Sequence, residues 1–438
     1  MIQRNLLALA LLLCTCVSLL AQKMPAISQE ETTRLIRTLS ADEMRGRASF
    51  TPGIDKAADF IQQEFRRIGL KPMASGLPGE SSNFKQTFQL YRLTPGTPQG
   101  QADGTVLNAE DMFINTSHQH LNWTTDTQRL VLTIGDNQEF RETFSKINSL
   151  TNDVLVLVNP VHEETFRAYQ HHFRAVGARQ ELDKGSSKVF VLSDKTDFAG
   201  YAVSVTNQVE QLPLANVAGM LEGKRKNEIV VFSGHYDHIG MVAPVAGDSI
   251  ANGADDNASG TAAMIMLASY FAKQPQPERT LIFVAFTAEE IGGFGSRHFS
   301  EQLNPDQIVA MLNIEMVGKP SKFGPNTAYL TGFDKSDLGV LLQKRLKGTP
   351  YRIFPDPYPE QNLFYRSDNA TLARLGVPAH TISSVQIDKD DTYHTVHDEF
   401  ELLHMEHLTS MIKAIALAAR GIVNGQNTPT RIEKDLLR

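Results

Sequence analysis

Carboxylates and imidazoles gather at a few short places in this chain, and those places share a position: the ends of apolar runs. His235 and Asp237 follow the run Glu228–Ser233, and Glu289 and Glu290 follow Thr280–Thr287. Glu315 follows Ile308–Asn313, and His394 lies in the loop after Val377–Ser383. Asp255 and Asp256 sit in a glycine-rich turn, Asn252-Gly253-Ala254-Asp255-Asp256-Asn257-Ala258-Ser259-Gly260. One acid after a strand commonly caps or solvates that end. Several converging carboxylates are costly to bury unless cations neutralise them. His with Asp and Glu, and no Cys, suits zinc with oxygen-rich ligation. Two ions about 3.5–4 Å apart would absorb that many acids. In His235-Tyr236-Asp237 the third residue can return to the imidazole and fix its tautomer. The successive carboxylates of Glu289 and Glu290 cannot both point at one ion from a strand, so one can ligate while the other faces the attacking water as general base.

The elements that must position these residues follow from hydrophobic period. Ser28 and Glu31 form a capping-box pattern ahead of a short helix. A second helix starts near Gly53, with Ile54, Ala57, Ala58, Ile61, Phe65 and Ile68 on one face and Gly69 as its stop. From Asn216 onward strands and helices alternate. Asn216–Leu221 and Glu228–Ser233 read as neighbouring strands, and Thr280–Thr287 as a buried one. Ala258–Ala272, Asp334–Lys347, Ser367–Leu375 and Leu402–Val423 read as helices. The alternation predicts an α/β fold: a three-layer sandwich with a mixed, largely parallel central sheet flanked by helices. In open sheets of this kind ligands bind beyond the carboxyl ends of the strands, where the acids and histidines fall.

Between Gln101 and Gln211 the pattern changes to polar sequence with two short apolar strands, Val154–Val158 and Val189–Leu192. This reads as an inserted subdomain, expected to shape access to a site and not to perform chemistry. His118, His120, His162, His171 and His172 lie within it and read as surface residues. The expected organisation is an export signal over 1–21, a catalytic domain over 22–100 and 212–425, the insertion over 101–211, and a loose polar tail over 426–438. Arg4, the apolar stretch Leu6–Leu13 and Leu19-Leu20-Ala21 carry the export reading. It places the mature chain in the periplasm or outside the cell, with no membrane span. Cys14 and Cys16 are the only cysteines, so cleavage leaves no thiolate for zinc and no disulfide. The net charge of −7 comes without a basic stripe, which excludes nucleic acid as a partner.

Five segments together resemble the co-catalytic zinc metallopeptidases that include secreted bacterial leucyl aminopeptidases and glutamate carboxypeptidases. They are Ser233-Gly234-His235-Tyr236-Asp237-His238-Ile239-Gly240, Gly253–Gly260, Phe286-Thr287-Ala288-Glu289-Glu290, Asn313-Ile314-Glu315-Met316-Val317-Gly318 and Tyr393-His394-Thr395-Val396-His397-Asp398. The resemblance implies two zinc ions per chain. It implies His235 as first-site ligand, Asp256 as the bridge, followed by a cis peptide bond, and Asp237 as the acid orienting His235. Glu289 matches the catalytic base, and Glu290 and His394 the second-site ligands. Glu315 stands at the first-site acid, where the best-known relatives carry Asp. Ser367-Asp368-Asn369 replaces Ser-Asp-His at the border of the substrate pocket. His238 and His397 are expected to pack or hydrogen-bond nearby without ligating. The implied function is an exopeptidase, with an aminopeptidase favoured and a peptide as substrate. A glutaminyl cyclase on the same fold and a catalytically dead binding protein are the alternatives. Asn115, Asn122, Asn257 and Asn369 begin glycosylation sequons. The one at Asn257 falls on the metal turn and reads as a chance match.

Overall fold

The structure, a computed structural model, describes residues 24–73, 83–125 and 129–436; the expected export signal lies outside them. The chain forms two compact units, one of residues up to Gln86 with Ala215–Arg438, the other of Thr87–Leu214.

In the first unit seven strands of one sheet place the candidate site. They are β1 (Gln208–Leu221, from Ala215 onward), β2 (Arg225–His235), β3 (Arg279–Phe286), β4 (Ile308–Ile314), β5 (Thr327–Leu330), β6 (Arg352–Pro355) and β7 (Ala379–Ser383). Their order is β6-β5-β7-β4-β2-β3-β1. β3, β2, β4 and β7 run parallel, β5 and β6 are parallel to each other, and β1 and β5 pair antiparallel with β3 and β7. The mixed, largely parallel sheet flanked by helices is therefore the expected fold class. β1 and β2 are not neighbours, because β3 lies between them. Gly223, in the turn joining β1 to β2, shows how β3 is accommodated. A Cβ there would stand 2.2 Å from the carbonyl carbon of Arg279.

Every residue of β3 is buried, as its continuous apolar run requires. Alternation along the strands divides the core into two faces. Ile229, Val231, Ile282, Val284 and Met311 face Phe299, Leu372 and Ala373 of the short helices Phe294–Glu301 and Asn369–Arg374. On the other face Phe232 stacks on Phe283 and meets Phe271 of the helix Gly260–Ala272. Packed around that helix are Pro52–Ile68, Gln29–Leu39 and Met405–Val423. Pro52 opens its helix and Gly69, at φ 86°, closes it with bonds to the carbonyls of Phe65 and Arg66. Ser28 Oγ accepts the Glu31 N–H, but the Glu31 carboxylate turns to Arg34 and Arg67 and does not close a capping box.

Over its described residues, to 436, the stretch after Asn424 is not the loose tail expected. Ile432 is buried in the core, and Arg279 donates to the carbonyls of Ile422 and Asn427 and to Thr428 Oγ1. Among the described residues no helix is long and apolar enough to cross a membrane.

The unit Thr87–Leu214 holds two four-stranded sheets. In one, Val154–Val158 and Lys188–Leu192 run parallel at the centre, covered by the helices Phe140–Asn148 and Glu163–Arg174 through Phe144, Ile147 and Phe166.

Candidate active site

The carboxyl ends of β2, β3 and β4 converge on the turn Ala254–Ser259. That turn is an irregular helical bend with Asp256 at φ −104°, ψ 96° and a cis peptide between Asp256 and Asn257. Its backbone is held from several sides. The Asp398 carboxylate accepts the N–H groups of Asp255 and Asp256. Asn257 donates from Nδ2 to the Ile314 carbonyl and accepts the N–H groups of Gly260 and Met316 at Oδ1. Asn257 is buried with both ends of its amide bonded, so the sequon there has no free acceptor for a glycan. Gly260 begins the next helix so close to β4 that a Cβ would stand 2.1 Å from the Ile314 carbonyl oxygen.

Two ligand-capable groups share Asp256: His235, Asp256 and Glu315 in one, and His238, Asp256, Glu290 and His394 in the other. Asp256 presents Oδ1 to His235 Nε2 at 3.3 Å, and Oδ2 to His394 Nε2 at 3.3 Å. Glu290 Oε2 stands 3.0 Å from His394 Nε2, and Glu315 Oε1 stands 3.9 Å from His235 Nε2. All five residues expected as ligands are thus brought together. His238 joins them, with Nδ1 at 2.7 Å from Glu290 Oε1. His397 belongs to neither group, and no residue of Thr87–Leu214 does among those described.

The donor set fits zinc. His235 Nε2 and Glu315 Oε2 are buried without a hydrogen-bond partner, as atoms awaiting an ion would be. The buried carboxylates press on one another. Burial first, then neighbouring acids, raise Glu315 and Asp237 to about 7 against the pull of His235, and burial alone raises Asp368 to about 6. Glu289 is pushed well above the usual carboxylate range by burial and by Glu315, Asp368 and Glu290. Divalent cations would remove that repulsion.

Glu289 is a member of neither ligand group. Ala288, at φ 59°, bends the chain after β3, so Glu289 and Glu290 project from a turn and not from a strand. Met316 and His394 also carry positive φ, at 49° and 58°. Such conformations cost roughly 1–3 kcal/mol each in non-glycine residues and persist where the surroundings over-determine them. Asp237 differs from expectation in its contacts. Its main-chain oxygen is 3.2 Å from His235 Nδ1, while the carboxylate is 3.8 Å away and accepts the N–H groups of Glu289 and Glu290. It links the ends of β2 and β3 as much as it faces the imidazole.

One contributor has no local signature in the sequence. Arg47 is fully buried, with Nε donating to the Tyr236 carbonyl, Nη1 to Leu39 and Asn252, and Nη2 to Gly253. It ties the loop after His235 to the turn before Asp256. Burial lowers its pKa to about 10, opposed by Asp398, Asp256, Asp237 and Glu290. Beside Glu315 opens a pocket lined by Met316, Tyr329, Arg366, Ser367, Val385 and Tyr393. Tyr393 stacks on His394 with ring centroids 3.9 Å apart.

Residues 216–419 match the profile of peptidase family M28. A probable zinc metalloprotease of Pyrenophora teres f. teres is 36% identical over 123 residues, which is 27% of this chain and 25% of that one. Aminopeptidase YwaD of Bacillus subtilis is 31% identical over 118 residues, 26% of this chain and 23% of its own. The matched stretches thus span about a quarter of the length of these curated relatives. Among solved structures, an aminopeptidase from Aneurinibacillus sp. strain AM-1 superposes with a TM-score of 0.54 at 18% identity, covering 94% of this chain and 96% of that one. BSAP, a zinc aminopeptidase from Bacillus subtilis, superposes at 0.53 and 16%, covering 95% and 100%. At those identities the likeness is one of fold. Over residues 216–419, a little under half of its length, the chain matches peptidase family M28, and these likenesses together place it with the zinc metallopeptidases.

Proposed function

We propose that this protein is an exported exopeptidase that holds two zinc ions and releases N-terminal residues from peptides. The observation that carries the reading is the division of Asp256, one oxygen toward His235 and the other toward His394. A single carboxylate facing two ligand groups suits a pair of ions. His235, Asp256 and Glu315 would hold one, and Asp256, Glu290 and His394 the other. A cyclase working with one zinc leaves one of these groups without a task.

When bound, the zinc pair supplies Lewis acidity for the scissile carbonyl and lowers the pKa of the attacking water toward about 7. Glu289 takes the proton from that water and returns it to the leaving amine. As a carboxylate outside both ligand groups it is free to serve both halves of the exchange. Asp237 holds the Glu289 and Glu290 backbone through its carboxylate and the His235 ring through its carbonyl. The cavity beside Glu315 receives the substrate's terminal side chain.

Removal of metal by a strong chelator is expected to abolish hydrolysis of amino-acyl reporter substrates, with zinc restoring it at two ions per chain. N-blocked peptides are expected to resist. Full activity in metal-free protein would sink the mechanism, and cleavage of blocked peptides would sink the aminopeptidase assignment.

A further inference from the structure

His238 is the residue that the two-ion arrangement leaves over. Two atoms bound to one tetrahedral zinc, with bonds of about 2.0–2.1 Å, lie roughly 3.3 Å apart. His235 Nε2 to Asp256 Oδ1 and His394 Nε2 to Asp256 Oδ2, both 3.3 Å, match that edge, and His394 Nε2 to Glu290 Oε2 is 3.0 Å. His238 Nδ1 stands 3.6 Å from Asp256 Oδ2, but its nearer partner, Glu290 Oε1 at 2.7 Å, is too close for that edge and has the length of a hydrogen bond to a carboxylate. A ligating histidine also donates its second ring N–H to an oxygen that orients it. His238 Nε2 is buried and has no hydrogen-bond partner.

The ring is nonetheless fixed in place. Gly253 lies against it so closely that a Cβ would stand 2.5 Å from His238 Cδ2 and 2.6 Å from Cγ. The His238 N–H donates to the Arg47 carbonyl, and the ring meets His394 at 5.6 Å with planes inclined by 67°. The two oxygens of Glu290 are thereby divided, Oε1 to His238 and Oε2 toward His394.

We propose that His238 is a positioning residue for Glu290: its Nδ1–H donates to Oε1, holds the carboxylate to one-oxygen ligation through Oε2, and so sets the zinc affinity of the second site. The inference rests on the two-zinc reading. The test is competition for zinc between the full chain and a chromophoric chelator, with wild type, His238→Ala and His238→Asn compared. Asn places an amide N–H near the position of Nδ1 but is a poor zinc ligand. The Ala variant is expected to bind two ions at saturation, one of them about 10–100-fold more weakly. The Asn variant is expected to recover most of the loss, which also covers the case in which Ala disturbs folding. Unchanged affinities in both variants would overturn the proposal. Binding of a single ion by both would also overturn it and make His238 a ligand. Fewer than two ions in the wild type would instead remove the two-zinc reading itself.

Discussion

Glu289 and Glu290 differ by one position in the chain and are assigned opposite tasks, which makes them a sharp test at the scale of single residues. Glu290 Oε2 lies 3.0 Å from His394 Nε2 within a ligand group, whereas Glu289 belongs to none. Glu289→Gln keeps the shape and cannot accept a proton. Turnover is expected to fall about 10²–10⁴-fold with both zinc ions retained. Glu290→Gln removes a negative ligand, so zinc content is expected to fall below two per chain at limiting metal. Metal analysis beside turnover separates the two, and the reverse outcome would mean the roles are exchanged. The types of these residues and their place after an apolar run are legible in the sequence, because a buried strand and the acids at its end are local features. The left-handed Ala288 that aims them is not, since alanine carries no local preference for φ 59°.

At the scale of elements, apolar runs gave strands where the run is long and uninterrupted. Thr280–Thr287 predicts Arg279–Phe286 to within a residue at each end. The four-residue strands Thr327–Leu330 and Arg352–Pro355 carry no such run and are visible only in the fold. Strand order was legible only in part. The turn at Gly223 makes β1 and β2 look like partners, but β3, arriving later in the chain, inserts between them and buries itself on both sides. Arg47 exposes the same limit. Its bonds go to Leu39, Tyr236, Asn252 and Gly253, and no local pattern reports acceptors some two hundred residues away. Replacing it tests whether the ligand loops depend on this clamp. Arg47→Met strands the buried carbonyls of Leu39, Tyr236 and Asn252, while that of Gly253 keeps the Ala258 N–H; at about 1–3 kcal/mol for each unsatisfied group, a loss on the order of 3 kcal/mol is expected after relaxation. Arg47→Lys keeps the charge without the planar fork and is expected to fall between. Thermal unfolding of the metal-free chain reads this directly. A Met variant as stable as the wild type would show that water satisfies those carbonyls.

Across the whole molecule, two histidines far from the ligand groups are kept neutral by the core. His380, in β7, is buried and bonded through Nδ1 to the Thr331 carbonyl and through Nε2 to Ser336 Oγ, with Asp334 and Lys335 the charged groups that act on it. His407, in the helix Met405–Val423, reaches Ser384 Oγ through Nε2 and has His404 as its titratable neighbour. Burial is the main cause that lowers both from 6.5 to about 4. The sign follows from which state takes up the proton. Below about pH 6.5 the unfolded chain protonates these rings while the folded chain refuses, so stability falls as pH drops from there and levels off below about 4. At about 1.4 kcal/mol per unit, each ring costs at most roughly 3 kcal/mol at the acid end. His407→Gln keeps a polar atom near Nε2 and removes the titration. In metal-free protein, where zinc release plays no part, melting temperature is expected to decline less between pH 6.5 and 4 for this variant than for the wild type. Above pH 7 the two curves are expected to run parallel, because His407 is neutral there in both the folded and the unfolded chain. Parallel curves across the acid window as well would mean that His407 is protonated as readily inside the fold as outside it.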